Sequence, residues 1–93
     1  MTGKHTCPCC GYKTLSQPRC WDVCPICLWE DDNVQSDEPD FYPGANKISL
    51  RQAQRNFSEF GACERRVLPC VRKPNTEDIR DPDWRPLDQL TGR

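Results

Sequence analysis

Two short cysteine stretches decide the fold of this 93-residue chain, Cys7-Pro8-Cys9-Cys10-Gly11 and Cys24-Pro25-Ile26-Cys27. In each stretch two residues separate a pair of cysteines, so that a tight turn presents both thiolates to one cation. The proline after the first cysteine fixes a turn dihedral, and Gly11 allows the positive φ that closes the first turn. Two such turns meet the tetrahedral demand of Zn²⁺. The spacing therefore predicts one zinc ion held by Cys7, Cys10, Cys24 and Cys27.

The other four of the eight cysteines are given no place in this ligand set. A one-residue spacing keeps Cys9 from sharing the ion with both of its neighbours, so we interpret it as a side thiol of the turn. Cys20 is interpreted as a small buried hydrophobe, and a substitute ligand role stays open because Cys20 and Cys24 span a permitted ligand interval. Cys63 and Cys70 are interpreted as packing thiols.

Length and composition indicate a single small domain that needs a stabilising staple, either a metal or, if the chain is secreted, disulfides. The chain is 29% charged and 35% hydrophobic, and a chain this short buries too little apolar surface for more than marginal stability. Its apolar runs are far shorter than the roughly 20 residues that span a bilayer, which excludes an integral membrane protein. Because no apolar leader precedes the first cysteine motif, we expect a cytoplasmic protein whose cysteines bind metal or remain thiols.

The pattern predicts a small, metal-stabilised α+β domain over residues 1–75, followed by a tail over residues 76–93. Within its cysteine-rich head, residues 6–29, short strands around 12–15 and 21–23 are expected to pair as a zinc-ribbon-like β-hairpin. His5 precedes the head and is expected to be solvated, with a ligand role as the alternative.

One amphipathic helix is predicted over residues 49–60, packed on the hairpin. Ser49 and Gln52 fit a capping box at its start, and Gly61 is a natural stop. Prolines at positions 74, 82 and 86 predict an extended tail, held to the body by Trp84 and Leu87. The apolar side chains expected around the metal are Tyr12, Leu15, Trp21, Val23, Leu28, Trp29, Phe41, Tyr42, Leu50, Ala53, Phe57 and Phe60.

Between the head and the helix lies an acidic stretch, in which residues 30–40 contain six acids and no base. It is interpreted either as a solvated acidic turn or as a recognition surface for a basic partner, because clustered like charges steer association. Residues 30–46 are expected to form an ordered loop anchored by Phe41 and Tyr42. The six acids are Glu30, Asp31, Asp32, Asp37, Glu38 and Asp40.

These motifs resemble the bacterial cysteine-rich CPCC family over roughly residues 6–75. The head alone is similar to zinc-ribbon and rubredoxin-like knuckles. The resemblance implies a small stand-alone protein, and the position of some members near polymorphic-toxin genes implies an immunity protein. The resemblance is carried by Cys7-Pro8-Cys9-Cys10-Gly11-Tyr12, by Cys24-Pro25-Ile26-Cys27-Leu28-Trp29-Glu30-Asp31-Asp32, by residues 44–50, and by Asn56-Phe57 with Phe60-Gly61-Ala62.

The leading functional hypothesis is a zinc-stabilised interaction module that lays the acidic stretch over a basic cleft of a protein partner, such as a toxin. Four thiolates close the coordination shell, so the zinc is expected to be structural and the protein is expected not to be an enzyme. One alternative is a thiol-disulfide oxidoreductase that uses Cys7 and Cys10.

A second, weaker alternative is a nucleic-acid-binding ribbon. The formal net charge of −1 disfavours it, because phosphate contact needs a net basic face. The bases that such a ribbon would use are Lys47, Arg51, Arg55, Arg65 and Arg66.

Overall fold

The computed structural model describes residues 4–19 and 21–90. Cys20, for which a buried or ligating role was expected, lies outside the described residues. None of the helices in the described ranges is long and apolar enough to cross a membrane. The elements are the strands β1 (His5–Thr6) and β2 (Lys13–Leu15), the helices α1 (Asn33–Asp37), α2 (Leu50–Phe60) and α3 (Leu87–Leu90), and a 3₁₀ helix (Arg65–Cys70). The small α+β class is confirmed.

The β-hairpin forms around the first cysteine turn, and the predicted pairing of 12–15 with 21–23 is wrong. β1 and β2 pair antiparallel, with His5 opposite Leu15. Val23 instead forms an isolated bridge with Glu30 on the far side of the second cysteine turn. The physical reason is local, because each cysteine turn reverses the chain and so brings its own flanks together.

Helix α2 begins and ends as its sequence predicts. Ser49 is the N-cap and its side chain accepts a hydrogen bond from the backbone N–H of Gln52, while Gly61 ends the helix in the left-handed conformation at φ +88°. The reciprocal half of the capping box is absent from the described contacts, because the Gln52 side chain donates to Asn56 instead. The buried face of α2 consists of Leu50, Ala53 and Gln54.

A buried polar network orders the segment between the second cysteine turn and α2. Gln35 is fully buried, and its Nε2 donates to the carbonyl oxygens of Phe41 and Ile48 at 3.1 and 2.9 Å. The expectation of an ordered loop anchored by its aromatics is therefore wrong in mechanism, because the Phe41 and Tyr42 side chains are 43% and 64% exposed. The segment also contains a short helix, α1, that the sequence pattern did not indicate.

The core is built of sulfur and a few large side chains. Four of the residues expected in it are exposed instead, Trp21 and Val23 as well as Phe41 and Tyr42. Residues 65–70 form the 3₁₀ helix. The largest fully buried side chains are Trp29, Leu15, Ile26, Gln35 and the cysteines at 7, 9, 10, 24 and 27.

The tail packs against the first cysteine turn. The backbone N–H of Lys13 donates to Ile79, and that of Asp81 donates to Gly11. The predicted anchors make the expected contacts, since the Trp84 indole Nε1 donates to the carbonyl of Pro8 at 3.1 Å and Leu87 packs against the core. The division of the chain at residue 75 stays a prediction.

Candidate metal centre

The first cysteine turn, residues 7–12, is a backbone turn closed by two hydrogen bonds. The N–H of Gly11 donates to the carbonyl of Cys7 at 2.9 Å, and the N–H of Cys7 donates to the carbonyl of Tyr12 at 2.8 Å. Gly11 has φ +82°, as the sequence predicts for the residue that closes this turn. The turn thus places Cys7 and Cys10 on one side of a rigid loop.

The second cysteine turn, residues 24–29, repeats this geometry. The N–H of Leu28 donates to Cys24 at 2.8 Å, and the N–H of Cys24 donates to Trp29 at 2.9 Å. Leu28 takes the place of Gly11 and has φ +68°, a left-handed conformation that costs a residue with a Cβ roughly 1–2 kcal/mol. Sequence reasoning missed this position, although the alignment of Leu28 with Gly11 in the two motifs signals it.

The two turns bring four sulfur atoms together. The Sγ atoms of Cys7, Cys10, Cys24 and Cys27 all lie within 4.8 Å of one another. Two of the four sulfur–sulfur distances between the turns, Cys7 to Cys27 and Cys10 to Cys24, are 3.6 and 3.8 Å. A metal–sulfur bond of 2.3 Å sets the corners of a tetrahedron about 3.8 Å apart. The cluster therefore fits a four-coordinate metal ion, with one pair of ligands from each turn.

Comparison with known protein families covers most of the chain and not only the sulfur cluster. The family model described as Cysteine-rich CPCC matches residues 5–78. The chain belongs to the cysteine-rich CPCC family. No curated protein matches the chain.

The thiols of this CPCC protein are electrostatically unequal. Burial raises the pKa of Cys7 and of Cys27 well above the ordinary thiol value. Hydrogen bonds from Cys10 and the other neighbouring thiols lower the pKa of Cys24, and so does the Thr14 hydroxyl, whose Oγ1 donates to the Cys24 Sγ at 3.0 Å. The protein thus stabilises one thiolate by its own groups, and a bound cation would stabilise the others.

The sulfur cluster is shielded from solvent. All four side chains are fully buried. Trp84 covers the first turn so closely that a Cβ built on Gly11 would lie 2.5 Å from the Trp84 Cε3 atom. A site of four buried sulfurs leaves no coordination position open to solvent, which is the arrangement of structural metal sites.

The other described cysteines lie around the centre or away from it. Cys9 is fully buried, as is Ile26 at the same place in the second turn, and burial raises the pKa of Cys9. Cys63 is also buried, which raises its pKa to about 12. Cys70 is exposed, so the expectation that it packs inside is wrong. His5 is exposed and outside the sulfur cluster.

Two of the six acids in the CPCC protein's acidic stretch are buried, and their carboxylates accept hydrogen bonds from backbone N–H groups. Asp31 and Asp32 are 4% and 3% exposed. The Asp31 carboxylate accepts a hydrogen bond from the N–H of Arg19 at 2.7 Å. Asp32 caps α1 through one oxygen and accepts from the N–H of Ala45 at 2.8 Å through the other. The expectation of a solvated acidic turn is wrong for these two residues, since their carboxylates satisfy buried N–H groups.

The remaining acids are more accessible. Asp37 pairs with Arg19 at 2.9 Å and Asp40 with Arg51 at 2.7 Å, and each arginine lowers the pKa of its partner. Glu38 is exposed and makes no ion pair with any residue in the described ranges, while Glu30 is half-buried. The acidic surface is therefore smaller than the sequence predicts.

Proposed function

We propose that this CPCC protein is a zinc-stabilised protein-interaction module whose activity is binding and not catalytic turnover. The observation that carries the proposal is the set of four fully buried sulfurs at tetrahedral separation. Zinc is the divalent ion that such thiolate sites most often hold as a structural element. The seven described cysteines form no disulfides with one another, which supports a reducing, cytoplasmic setting.

The metal would supply the stability that the apolar core lacks. Structural zinc contributes roughly 10–16 kcal/mol of apparent binding free energy in zinc-finger peptides, and that energy becomes folding energy. Here thirteen residues separate the two cysteine pairs, so one ion joins segments that lie apart in the sequence. The metal role proposed is therefore to fix the fold.

A rigid loop with exposed aromatics supports a binding role for the surface. We define the aromatic loop as residues 39–44. Gln35 binds the Phe41 carbonyl and Asp32 binds the N–H of Ala45 just beyond the loop, while the Phe41 and Tyr42 side chains are 43% and 64% exposed. Aromatic side chains carried by an ordered backbone are typical anchors of protein interfaces.

Charge beside the aromatic loop favours a basic protein partner. Glu38 and Asp40 are exposed, and only Asp40 is engaged with an arginine in the described part of the chain. We propose that the partner is a protein with a basic surface, such as a toxin that an immunity protein neutralises. The aromatic loop would supply contact area and the acids would steer association.

Metal analysis and chelation test the zinc proposal. Purified protein should contain one zinc ion per chain, and its removal should abolish the near-ultraviolet circular dichroism of the packed tryptophans. Iron in place of zinc would overturn the identity of the metal. Cooperative unfolding that persists after exhaustive chelation would overturn its structural role.

Charge reversal and aromatic truncation test the interaction proposal. Glu38→Lys and Tyr42→Ala should each weaken capture of the partner from the native host. Glu59→Lys, an exposed acid on α2, and Trp21→Ala, an exposed aromatic elsewhere, are the matched controls. Equal capture by all four variants would contradict the proposal.

The alternative functions have less support. An oxidoreductase would need an accessible attacking thiol, whereas Cys7 and Cys10 are both fully buried. A nucleic-acid ribbon would need free bases, whereas three of its five, Arg51, Arg55 and Arg66, are paired with carboxylates. Rapid titration of two thiols in the metal-loaded protein would favour the first alternative, and steeply salt-dependent binding to DNA or RNA would favour the second.

A further inference from the structure

A groove between α2 and the tail is lined by none of the four metal-binding cysteines and by no residue of the aromatic loop, although Cys9 of the first cysteine turn reaches it. Its volume is about 680 Å³, within the range of roughly 300–1,000 Å³ that small-molecule sites occupy. Its tail residues begin at position 80, beyond the segment that the family model matches. The residues that matter to its chemistry are Phe57 and Ser58 of α2 and Arg80, Trp84, Arg85 and Gln89 of the tail.

Arg80 is held in this groove by aromatic rings and not by an acid. Its guanidinium carbon lies 5.3 Å from the ring centroid of Trp84 and 5.7 Å from that of Tyr12. It forms no ion pair with any residue in the described ranges. The cation is thus positioned by cation–π contacts while its hydrogen-bond donors remain available.

Arg85 supplies a second fixed guanidinium. Its Nη1 donates to the carbonyl oxygens of Pro82 and Trp84 at 2.7 and 2.8 Å. No other acceptor in the described part of the chain takes its remaining N–H groups. Two neutral carbonyls therefore orient the side chain without neutralising its charge.

The acid of the groove is already engaged elsewhere. Asp81 accepts hydrogen bonds from the Thr6 hydroxyl at 2.6 Å and from the backbone N–H of Asp83 at 2.9 Å, and the bond from Thr6 lowers the pKa of Asp81. With two arginines and one carboxylate, the groove carries an excess of one positive charge. An anion in the groove can accept hydrogen bonds from both guanidinium groups. The Asp81 carboxylate does not compete for them, because it binds Thr6 of β1 and the tail backbone.

We propose that this groove binds a small organic anion, whose carboxylate or phosphate group contacts Arg80 and Arg85 and whose apolar body lies against Phe57 and Trp84. Guanidinium groups bind both kinds of oxyanion through paired N–H donors. The neighbouring aromatic side chains favour a ligand with apolar surface over an inorganic ion.

Titration of the metal-loaded protein with three small probes tests the site. Phenyl phosphate and phenylacetate present the two oxyanions on a similar apolar body, and benzyl alcohol is the neutral control. In nitrogen–proton NMR spectra, at least one anionic probe should shift the Trp84 indole Nε1 signal and the Arg80 and Arg85 Nε signals in a saturable manner. The anionic probe that binds more tightly shows whether the groove prefers a phosphate or a carboxylate group.

Two results would overturn the proposal in the wild-type protein. One is binding of benzyl alcohol as tight as that of the anions. The other is a set of shifts confined to a second basic groove, which contains Lys4, Lys13 and Arg72, with the Trp84 and Arg80 signals unmoved.

Substitution of the central arginine provides a matched comparison. Arg80→Gln should weaken binding of the anionic probe about tenfold or more, because a hydrogen bond to a charged group is lost. Arg65→Gln is the control, since Arg65 also stacks on one aromatic ring, at 4.3 Å from the centroid of Phe60, but lies outside the groove. Equal affinities of the two variants would refute the site. If Arg80→Gln unfolds, Arg85→Gln takes its place in the same comparison.

Discussion

The two cysteine turns have the same backbone and different support. Residues 7–12 and 24–29 are closed by matching pairs of hydrogen bonds and by a residue with positive φ at the same place. The second turn ends at Trp29, which is fully buried in the core. The first turn is covered by Trp84, which comes from the far end of the chain.

The geometry of each metal-binding turn is thus determined by residues next to it in the sequence. The shielding of its sulfurs from solvent can depend on residues far away in the sequence. The spacing of the cysteines and a left-handed residue are enough to build either turn. Shielding of the sulfurs needs a large side chain, and the sequence supplies it next to one turn but more than seventy residues from the other. The first turn should therefore depend on docking of the tail, residues 76–93. The second turn should not, because its long-range hydrogen bonds come from the N–H groups of Cys63 and Arg72, outside that tail.

Loss of one ligand should have the largest effect and should be equal for the two turns. Cys7→Ser and Cys24→Ser each remove one corner of the sulfur tetrahedron, so we expect loss of metal and of cooperative folding, given a zinc contribution of about 10 kcal/mol or more. Zinc content and circular dichroism measure this. Cys70→Ser, at an exposed cysteine, should change neither. A stable, zinc-loaded Cys7→Ser protein would show that the turns are not equivalent.

A methyl group on Gly11 should have the next largest effect. Gly11→Ala adds left-handed strain and a clash with the Trp84 ring, and we expect a loss of about 3 kcal/mol in the free energy of unfolding. Gly61→Ala is the matched control, because Gly61 also has positive φ but no atom lies within 4 Å of its Cβ position. That change should cost about 1 kcal/mol. Urea unfolding of the metal-loaded proteins measures both.

The double variant Gly11→Ala, Trp84→Ala separates clash from strain. Removal of the ring should make the methyl group on Gly11 much less costly than it is beside Trp84, although the tail contact itself is lost. Leu28 already shows that the same left-handed backbone can carry a side chain in the second turn. If the methyl group costs the same with and without Trp84, the long-range cover is not what distinguishes the turns.

The sequence predicts the local parts of this molecule well. The four cysteines brought together are the four chosen from their spacing, because a turn of fixed length determines where its two sulfurs lie. Helix α2 has the predicted cap and stop, since Ser49 and Gly61 act on the backbone next to them.

Contacts between residues far apart in the sequence were not predicted, for physical reasons. A pattern cannot show that Gln35 would replace Phe41 and Tyr42 as the anchor of a loop, because a buried amide with all its hydrogen bonds made looks like any polar residue in a sequence. Nor can it show that Trp84 lies on Gly11, since that contact depends on where the whole tail docks.

The Thr14 hydroxyl offers a smaller test that affects the second turn alone. It donates to Cys24 at 3.0 Å, and no equivalent hydroxyl contact to Cys7 occurs among the described residues. Thr14→Val should weaken zinc affinity by about tenfold, as is typical when a group that orients a metal ligand is lost. Competition with a chromophoric chelator measures it. Thr6→Val, which removes the bond to Asp81 instead, should leave zinc affinity unchanged, and equal losses would show that Thr14 acts only through folding.

The smallest expected effect is at the ion pairs that hold the tail. Asp88 pairs with Arg55 at 2.8 Å and with Arg51 at 3.4 Å, so Asp88→Asn should loosen α3 slightly and, through Trp84, the first turn. Exposed pairs contribute little and are screened by salt, so amide exchange at Gly11 should quicken modestly in low salt and match the wild type near 1 M salt. Exchange at Leu28 should not change under either condition. Faster exchange at Leu28 would mean that the tail supports both turns, and the contrast between them would then lie in the cover of Gly11 alone.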